Sequence, residues 1–465
     1  MYPRVKDCFV IRGAEGDQYI VDTKKFRIIP LRDSLFVDII LACNGSNNVS
    51  RIAKKFDVNI DDLMGFLDLF ISEEIIKMLP IKKHREITVK LCSQQPWLRE
   101  VHLDITNRCN LANFCRHCFR GEKLNIGKVV DGHMWIGLIK ELSNFGVYNV
   151  AISGGEPMLE KSLPNILKSI VKEEMLLGAI FTNGTIWSKI VEEVVAIIID
   201  KNISTTFYIS LDGPNRELHD KNRGRGSFDK TVSFIKKMVS IREKTGASYK
   251  ISVNSLISSE NFRDLAAWYD YLLGLRIDRW RLTSGRLVGN LKDNHFLVVG
   301  GESLFDEYVG LIRKHIIDRQ AGSEMLLNVE SFFNTNMLVD KTAYIFSGEN
   351  VMCDYKQNAC SVEPNGNVQF CTSWNKSFGN VFDIGIEKIW QSKEMQVMKN
   401  NPIKNISECL DCDLLEFCGG GCRLVAKDIN SKDKQSCERY KMFVERILPI
   451  LSDYGVKFIN DRSEI

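Results

Sequence analysis

Cys109, Cys115 and Cys118 stand just beyond a strand-like run, Val101-His102-Leu103-Asp104-Ile105-Thr106. Three thiolates are one ligand short of a closed tetrahedral metal site, and the missing ligand leaves a coordination position open for a reactant. Ser153-Gly154-Gly155-Glu156-Pro157 follows, again at the end of an apolar strand, Val147-Tyr148-Asn149-Val150-Ala151-Ile152. A soft, open thiolate site beside a glycine turn carrying one carboxylate suggests an iron–sulfur cluster whose free iron binds a small polar ligand. A structural zinc is the plainer alternative for three cysteines. Their placement one strand away from the glycine turn argues against it.

A second group holds Cys353, Cys360, Cys371, Cys409, Cys412, Cys418, Cys422 and Cys437, enough thiolates for two complete sets of four. Two zinc ribbons would also use such a set. The remaining cysteines, Cys8, Cys43 and Cys92, are scattered in apolar surroundings and read as small buried hydrophobes. A disulfide framework suits a small secreted domain, whereas this chain has 465 residues and no basic-then-apolar signal at its N-terminus. Reduced thiols holding metal in the cytoplasm are the expectation. No apolar run approaches the ~20 residues of a membrane span, and a net charge of +3 points to neither nucleic acid nor a membrane surface.

These residues need a scaffold that brings them to one edge. From 99 to 300 short apolar strands alternate with longer helical stretches. Strands are predicted at 101–106, 147–152, 178–182, 205–211, 249–256 and 278–282. Helices are predicted at 131–145, 160–174, 187–200, 227–245 and 260–273. Repeated strand–helix units imply parallel pairing with right-handed crossovers, hence α/β architecture and a full or partial barrel. In such barrels chemistry collects at the C-terminal strand ends. The cysteine triplet, the Ser153–Pro157 turn, Thr182-Asn183-Gly184 and Ser210-Leu211-Asp212-Gly213 all fall there.

Triplet and glycine turn together resemble the radical S-adenosylmethionine (AdoMet) superfamily, which implies a partial (β/α)6 TIM-like barrel over 99–300. In that family three thiolates hold a 4Fe–4S cluster, here Cys109, Cys115 and Cys118. Its fourth iron is chelated by AdoMet, which is cleaved reductively to a 5′-deoxyadenosyl radical. The resemblance assigns Ser153, Gly154, Gly155, Glu156 and Pro157 to the turn meeting the AdoMet amino group, and Asn183 to the same cofactor. His117 occupies the position of an aromatic ring near the adenine, Ser210 and Asp212 the strand end meeting the ribose, and Arg223 that of a carboxylate partner. One departure is plain: five residues, Asn110-Leu111-Ala112-Asn113-Phe114, separate the first two cysteines where the family usually has three.

The second cysteine group, with Gly366-x4-Cys371 and Cys409-x2-Cys412-x5-Cys418-x3-Cys422, resembles the SPASM extension of radical AdoMet enzymes that modify peptides and proteins. That extension, placed at 351–445, implies two auxiliary 4Fe–4S clusters and three clusters in all. The family's interleaved pattern gives Cys353, Cys360, Cys371 and Cys422 to one, and Cys409, Cys412, Cys418 and Cys437 to the other. Residues 301–350 are expected to bridge barrel and extension, and 446–465 to form a C-terminal tail.

Residues 1–80 read as a separate winged helix-turn-helix unit, with strands near 7–12, 18–22 and 26–30 and helices at 31–43, 50–56 and 60–71. Such an outline often binds DNA, but 11 Lys and Arg against 12 Asp and Glu give it a net charge of −1, not the basic face of a DNA reader. The unit resembles the PqqD-like element that recognises leader peptides of ribosomally made precursors, with walls at Lys25–Pro30 and Ile60–Ile71. Residues 81–98 look like a linker with a short strand. The combined resemblance implies a maturase that joins a cysteine sulfur to carbon in a precursor peptide, of sactipeptide or ranthipeptide type. It implies an electron donor such as flavodoxin or ferredoxin. Carbon–carbon cross-linking is the alternative product. An enzyme like the anaerobic sulfatase maturases and a non-catalytic, metal-stabilised peptide scaffold are the rival readings.

Overall fold

The computed structural model describes residues 1–14, 16–31, 33–92, 96–127, 130–353 and 357–459. Parts of the predicted first turn (Glu15), first helix (Arg32), linker (93–95), cysteine-rich extension (354–356) and tail (460–465) lie outside the described residues.

The N-terminal unit contains β1 (Tyr2–Val5), β2 (Phe9–Ala14), β3 (Asp17–Asp22), β4 (Arg27–Leu31), α1 (Ser34–Ala42), α2 (Val49–Phe56), α3 (Ile60–Ser72) and β5 (Ile76–Leu79). Asp33, Asn48 and Asn59 cap the three helices through their side chains, which is why each starts where the sequence pattern turns helical. The predicted linker supplies β6 (Val89–Cys92), which pairs parallel with β2 and gives the sheet order β4-β3-β2-β6. Strand β1 pairs separately with β5. A distinct core of Val5, Phe9, Ile11, Ile20, Leu63 and Leu67 holds this unit together.

Strands of the predicted barrel follow as β7 (Glu100–Asp104), β8 (Asn149–Ser153), β9 (Leu176–Thr182), β10 (Thr206–Ser210), β11 (Lys250–Ile257) and β12 (Arg279–Ser284). Between them run α4 (Gly132–Asn144), α5 (Leu163–Lys172), α6 (Lys189–Asp200), α7 (Arg216–Arg223), α8 (Ser227–Thr245) and α9 (Leu265–Gly274). All six strands are parallel and adjacent in chain order. Their outward-facing residues, such as Val101, Ile152, Ile180, Phe207, Val253 and Trp280, are fully buried beneath the helices.

The sheet extends beyond six strands. Past α10 (Glu302–Gln320), β13 (Leu326–Val329) adds parallel to β12, with β14 (Phe333–Asn334) antiparallel at that edge. The predicted bridge thus contributes two short strands to the central sheet. After α11 (Thr335–Asp340) and β15 (Thr342–Tyr344), the cysteine-rich region contributes β16 (Ala359–Val362) beside β7 and then β17 (Val368–Gln369). One ten-stranded sheet thus joins barrel and C-terminal region, and β18 (Lys457–Ile459) returns to pair with β15.

The N-terminal unit is seated on the N-terminal ends of the barrel strands. Arg12 of β2 is fully buried and donates to the carbonyls of Ser143 (3.0 Å), Val147 (2.9 Å) and Glu173 (2.6 Å), around the ends of α4 and α5. Helix C-termini carry partial negative charge, so one guanidinium joins two of them. Arg99, over the rings of Tyr19 and Trp97, makes a second contact and pairs with Asp17 at 2.9 Å.

Candidate metal and cofactor site

Strands β7 and β8 end in register, Asp104 beside Ser153, so the cysteine loop and the glycine turn leave adjacent strand ends. Gly155 N–H donates to the Thr106 carbonyl at 2.7 Å and Glu156 N–H to that of Arg108 at 2.8 Å. A Cβ on Gly154 or Gly155 would lie 2.4 Å from the Thr106 or Arg108 oxygen respectively, so only glycine lets the two segments meet.

The longer cysteine loop is tied down at both ends. Cys109 N–H donates to Asn125 Oδ1 at 2.8 Å, and Asn290 Nδ2 donates to the Cys115 carbonyl at 2.9 Å. Asn290 N–H takes the Cys118 carbonyl, also at 2.9 Å, and Asn294 takes that of Arg116 at 3.0 Å. Within the five-residue spacer, Asn110 accepts from Asn183 Nδ2 at 3.0 Å and donates to Thr185 at 2.8 Å, joining the loop to the end of β9. Leu111 is buried, while Phe114 lies against Gly224 beyond α7. The two additional residues are absorbed by anchoring on neighbouring strand ends.

Burial pushes the Cys109 thiol up to about 11; Glu156 and the Cys118 thiol act in the same direction. Burial likewise holds Cys115 up at about 12, against the pull of Arg223 and with a contribution from Cys118 and Cys109. The three thiols therefore share one electrostatic neighbourhood. Such thiols lose their protons to a metal far more readily than to water. Among the described residues no three of His, Cys, Asp or Glu converge on a single ion. Three neighbouring thiols on one loop supply the soft donors an iron–sulfur cluster takes.

Beside the loop lies a buried charged cradle. Arg223 Nε donates to Asp212 Oδ2 at 2.5 Å, while His117 Nε2 stands 3.3 Å from the same oxygen and 3.2 Å from Arg223 Nη2. Asp212 Oδ1 accepts from Leu256 N–H at 2.9 Å, and Asp212 N–H donates to His219 Nδ1 at 3.0 Å. Desolvation would raise the Asp212 carboxyl, but Arg223 and the neighbouring imidazoles outweigh it and hold it at about 2. Burial keeps His117 neutral, down at about 4, despite Asp212. His117 is thus seated on the Asp212–Arg223 pair, not isolated on the loop.

Glu156 is fully buried. Its carboxylate accepts from Asn183 N–H at 2.7 Å, Thr182 Oγ1 at 2.8 Å and Met158 N–H at 3.1 Å, and burial pushes it up to about 7 against those bonds. Glu156 therefore fastens the β8 turn to the β9 turn. Ser210 ends β10 opposite Asn254 of β11.

In the C-terminal region Cys409, Cys412, Cys418 and Cys437 line one pocket. Burial pushes Cys418 up to about 12, with the Cys437 and Cys409 thiols adding to it. Four thiols around one hole fit the auxiliary set assigned to them. Cys360 lies on β16 beside Val101, Cys371 just past β17, Cys353 before β16 and Cys422 after a glycine run, where its N–H donates to Asp433 at 3.0 Å. Arg286 to Asp433 (3.2 Å) ties this region to the end of β12.

Sequence reasoning missed α7, a polar helix capped by Asn215 and ended by Gly224, although it delivers both His219 and Arg223. It also missed Asn290, Asn294 and the buried Asp104–Arg120 pair. Asparagine and aspartate at strand ends were the available signal, but such residues are common in ordinary turns.

Residues 103–265 match the radical SAM superfamily, and residues 353–413 match the SPASM iron–sulfur cluster-binding domain. Over 326 residues the chain is 29% identical to mycofactocin maturase MftC of Mycolicibacterium smegmatis, covering 69% of this chain and 76% of that one. It is 25% identical over 360 residues to the Fe-coproporphyrin III synthase of Methanosarcina barkeri, covering 70% and 83%. Streptococcus suis SuiB bound to precursor peptide SuiA shares the fold with a TM-score of 0.65 at 16% identity, covering 94% of this chain and all of that one. Both matched regions contribute strands to the one central sheet. No helix among the described residues is long and apolar enough to cross a membrane.

Proposed function

We propose that this chain, with its radical SAM domain and SPASM region, is a maturase that installs sulfur-to-carbon cross-links in a ribosomally made precursor peptide. The observation that carries the reading is the open three-thiol loop lying against the His117–Asp212–Arg223 cradle. Cys109, Cys115 and Cys118 would hold the catalytic cluster. Cys409, Cys412, Cys418 and Cys437 would hold one auxiliary cluster, and Cys353, Cys360, Cys371 and Cys422 a second. When bound, AdoMet and the reduced cluster supply a primary carbon radical that removes a hydrogen atom from substrate. The protein's part is positioning. Asp212, kept ionised by Arg223, offers acceptors for ribose hydroxyls, and Ser210 stands on the same strand end. Arg223, paired with Asp212, would also meet a ligand carboxylate, and neutral His117 would pack against the cofactor without adding charge.

The leader would bind at β4. That strand is an edge of the N-terminal sheet, and an extended peptide can add to such an edge through backbone hydrogen bonds. Beside it Phe36 of α1 packs at a tilt against Phe66 of α3 with ring centroids 4.8 Å apart, and Phe66 likewise against Phe70 at 4.9 Å, while Leu35, Phe36 and Phe26 remain exposed. Similarity to mycofactocin maturase and to the peptide-bound SuiB fold supports a peptide substrate. Eight thiols in the C-terminal region allow two closed auxiliary sets, which suits electron transfer from a flavodoxin or ferredoxin.

Mass spectrometry of a candidate precursor, co-expressed anaerobically with the enzyme, tests the reading. Loss of two hydrogens per bond with cysteines that no longer alkylate establishes the thioether. The same loss with free thiols moves the assignment to carbon–carbon linkage, and formation of 5′-deoxyadenosine separates either from a non-catalytic scaffold.

A further inference from the structure

The inward face of the barrel is laid out in two tiers. In the lower tier His102 of β7 stacks on Phe181 of β9 at 5.1 Å, and Phe181 on Tyr208 of β10 at 4.8 Å. The Tyr208 hydroxyl then accepts from Arg279 of β12 at 3.3 Å. The intervening β8 and β11 place only Ala151 and Ser252 in this row, and small side chains there let groups two strands apart touch. These rings and the Arg279 stem form a floor.

One pleat nearer the catalytic edge, two residues further along each strand, the tier is polar. Ser210, Asn254, Arg281 and Asn328 sit side by side on β10, β11, β12 and β13. Arg281 alternates with the fully buried Trp280 and Leu282, which face the helices, so its side chain points to the inward face. At ~4.8 Å per strand it lies about 10 Å from Ser210, on the same inward row.

Arg281 is partly buried, yet no hydrogen bond, ion pair or ring contact engages its guanidinium among the described residues. Its neighbour Arg279 has only the Tyr208 hydroxyl, and its Nε is buried without a partner. Asp104, the carboxylate that ends β7, is taken by Arg120. Other part-buried arginines at this edge are engaged: Arg223 by Asp212, Arg116 by Glu260, Arg286 by Asp433 and Arg439 by Glu330. A partly desolvated cation without a counter-ion costs stability unless an anion arrives, and a planar guanidinium matches a carboxylate in a bidentate manner.

We propose that Arg281, backed by Arg279, is the substrate-selecting residue of the barrel and binds a carboxylate of the peptide undergoing modification. That carboxylate is either an Asp or Glu side chain or the peptide's own C-terminus. The aromatic floor beneath limits how deep the peptide enters, and the carboxylate contact fixes which residue faces the cofactor. The inference rests on the proposed peptide-modifying activity.

The test uses fluorescein-labelled heptapeptides of one apolar sequence, with Glu or Gln at the centre and with a free or amidated C-terminus. Anisotropy is read on the unreduced, cluster-loaded protein in the presence of AdoMet. At least a tenfold tighter Kd is expected for one carboxylate-bearing form over its matched amide, and which pair shows it identifies the source of the carboxylate. In Arg281→Gln that preference should fall below twofold while the amide peptides bind as in the wild type, and Arg281→Lys should restore part of it. Equal binding of acid and amide by the wild type overturns the proposal, as does a preference that survives Arg281→Gln. Separately, 5′-deoxyadenosine formation by the reduced wild type without peptide reports on the underlying activity. Its absence would remove the enzymatic reading, whereas its presence with no acid preference would remove this inference alone.

Discussion

Arg12 donates to the Glu173 carbonyl at 2.6 Å across 161 positions of sequence, from the first sheet into the barrel. The same guanidinium takes the carbonyls of Ser143 and Val147, so it satisfies buried acceptors at the ends of two helices at once. Burial pulls it down, but only to about 10, and it remains a cation. Removing one partner of a buried, hydrogen-bonded charge costs roughly 3–5 kcal/mol, and orphaned carbonyls cost ~1–3 kcal/mol each. Arg12→Gln is therefore expected to loosen the N-terminal unit first. Hydrogen exchange should quicken around residues 143–147 and in β2, while amides of β9–β11 keep their protection. Unchanged exchange at 143–147 would show that the clamp is not what seats the unit.

This docking changes how leader recognition should be tested. Deleting residues 1–80 would strip Arg12 and Tyr19 from the barrel and leave β6 without its sheet, so lost turnover could reflect a damaged barrel. A surface change is cleaner. Phe36 is 41% exposed, and among the described residues its only ring contact is Phe66. Phe36→Asp should weaken binding of a cognate precursor at least tenfold by anisotropy, with little effect on the unfolding midpoint, since the side chain already faces water. Retained affinity would move leader recognition away from the β4 edge.

Cys115 is the buried member of the triplet and the one whose carbonyl Asn290 holds. Cys115→Ala should lose the iron of one cluster and all formation of 5′-deoxyadenosine, while leader affinity stays within twofold of wild type. A parallel loss of leader affinity would mean that cluster and N-terminal unit are coupled and not modular. Asn290→Ala should give the milder version: the thiols remain, but the loop that spaces them is freed, so iron content after reconstitution should fall by less than in the cysteine variant.

The six barrel strands and five of their helices were legible because their patterns are local: alternation along each strand and apolar spacing along each helix. The two cysteine groups stand out for the same reason, as spacings along the chain. What escaped depends on distance in sequence. Arg12 sits in an apolar run and reads as an interruption until its acceptors appear 131 to 161 positions away. Helix α7 has few apolar residues and a short span, so nothing in its composition separates it from a loop. Asn110 gains its meaning only where Asn183 meets it, and the five-residue cysteine spacing looked anomalous because that anchor could not be read from one strand end. The bonds that Glu156 accepts from Asn183, Thr182 and Met158 could not be read from the sequence either, because two of the donors come from the end of a different strand.

Acid should act on this protein through imidazoles well before it reaches most carboxylates. Burial holds His117, His219 and His315 down at about 4, against an ordinary value of 6.5. The folded chain therefore binds fewer protons than the unfolded one between those values. Stability from these groups is complete above pH 6.5 and is lost as pH falls toward 4. Glu156 runs the other way: raised to about 7, it disfavours the fold increasingly as pH climbs from 4.5 to 7. Burial raises Asp104 as well, so three histidines stand against two carboxylates and predict a net loss on acidification. His315 offers a way to isolate one contribution, because it lies away from the cysteines, accepting from or donating to Tyr269 at 2.8 Å and Thr335 at 2.9 Å. Glutamine can replace both bonds without titrating. Between pH 7.5 and 5.5 the urea midpoint of His315→Gln should fall less than that of the wild type, by an amount equivalent to about 1 kcal/mol. Using the difference between two proteins cancels any acid lability of the clusters. Parallel pH profiles would mean that His315 takes up its proton within the fold, and the neutral Tyr269–His315–Thr335 relay would have to be abandoned.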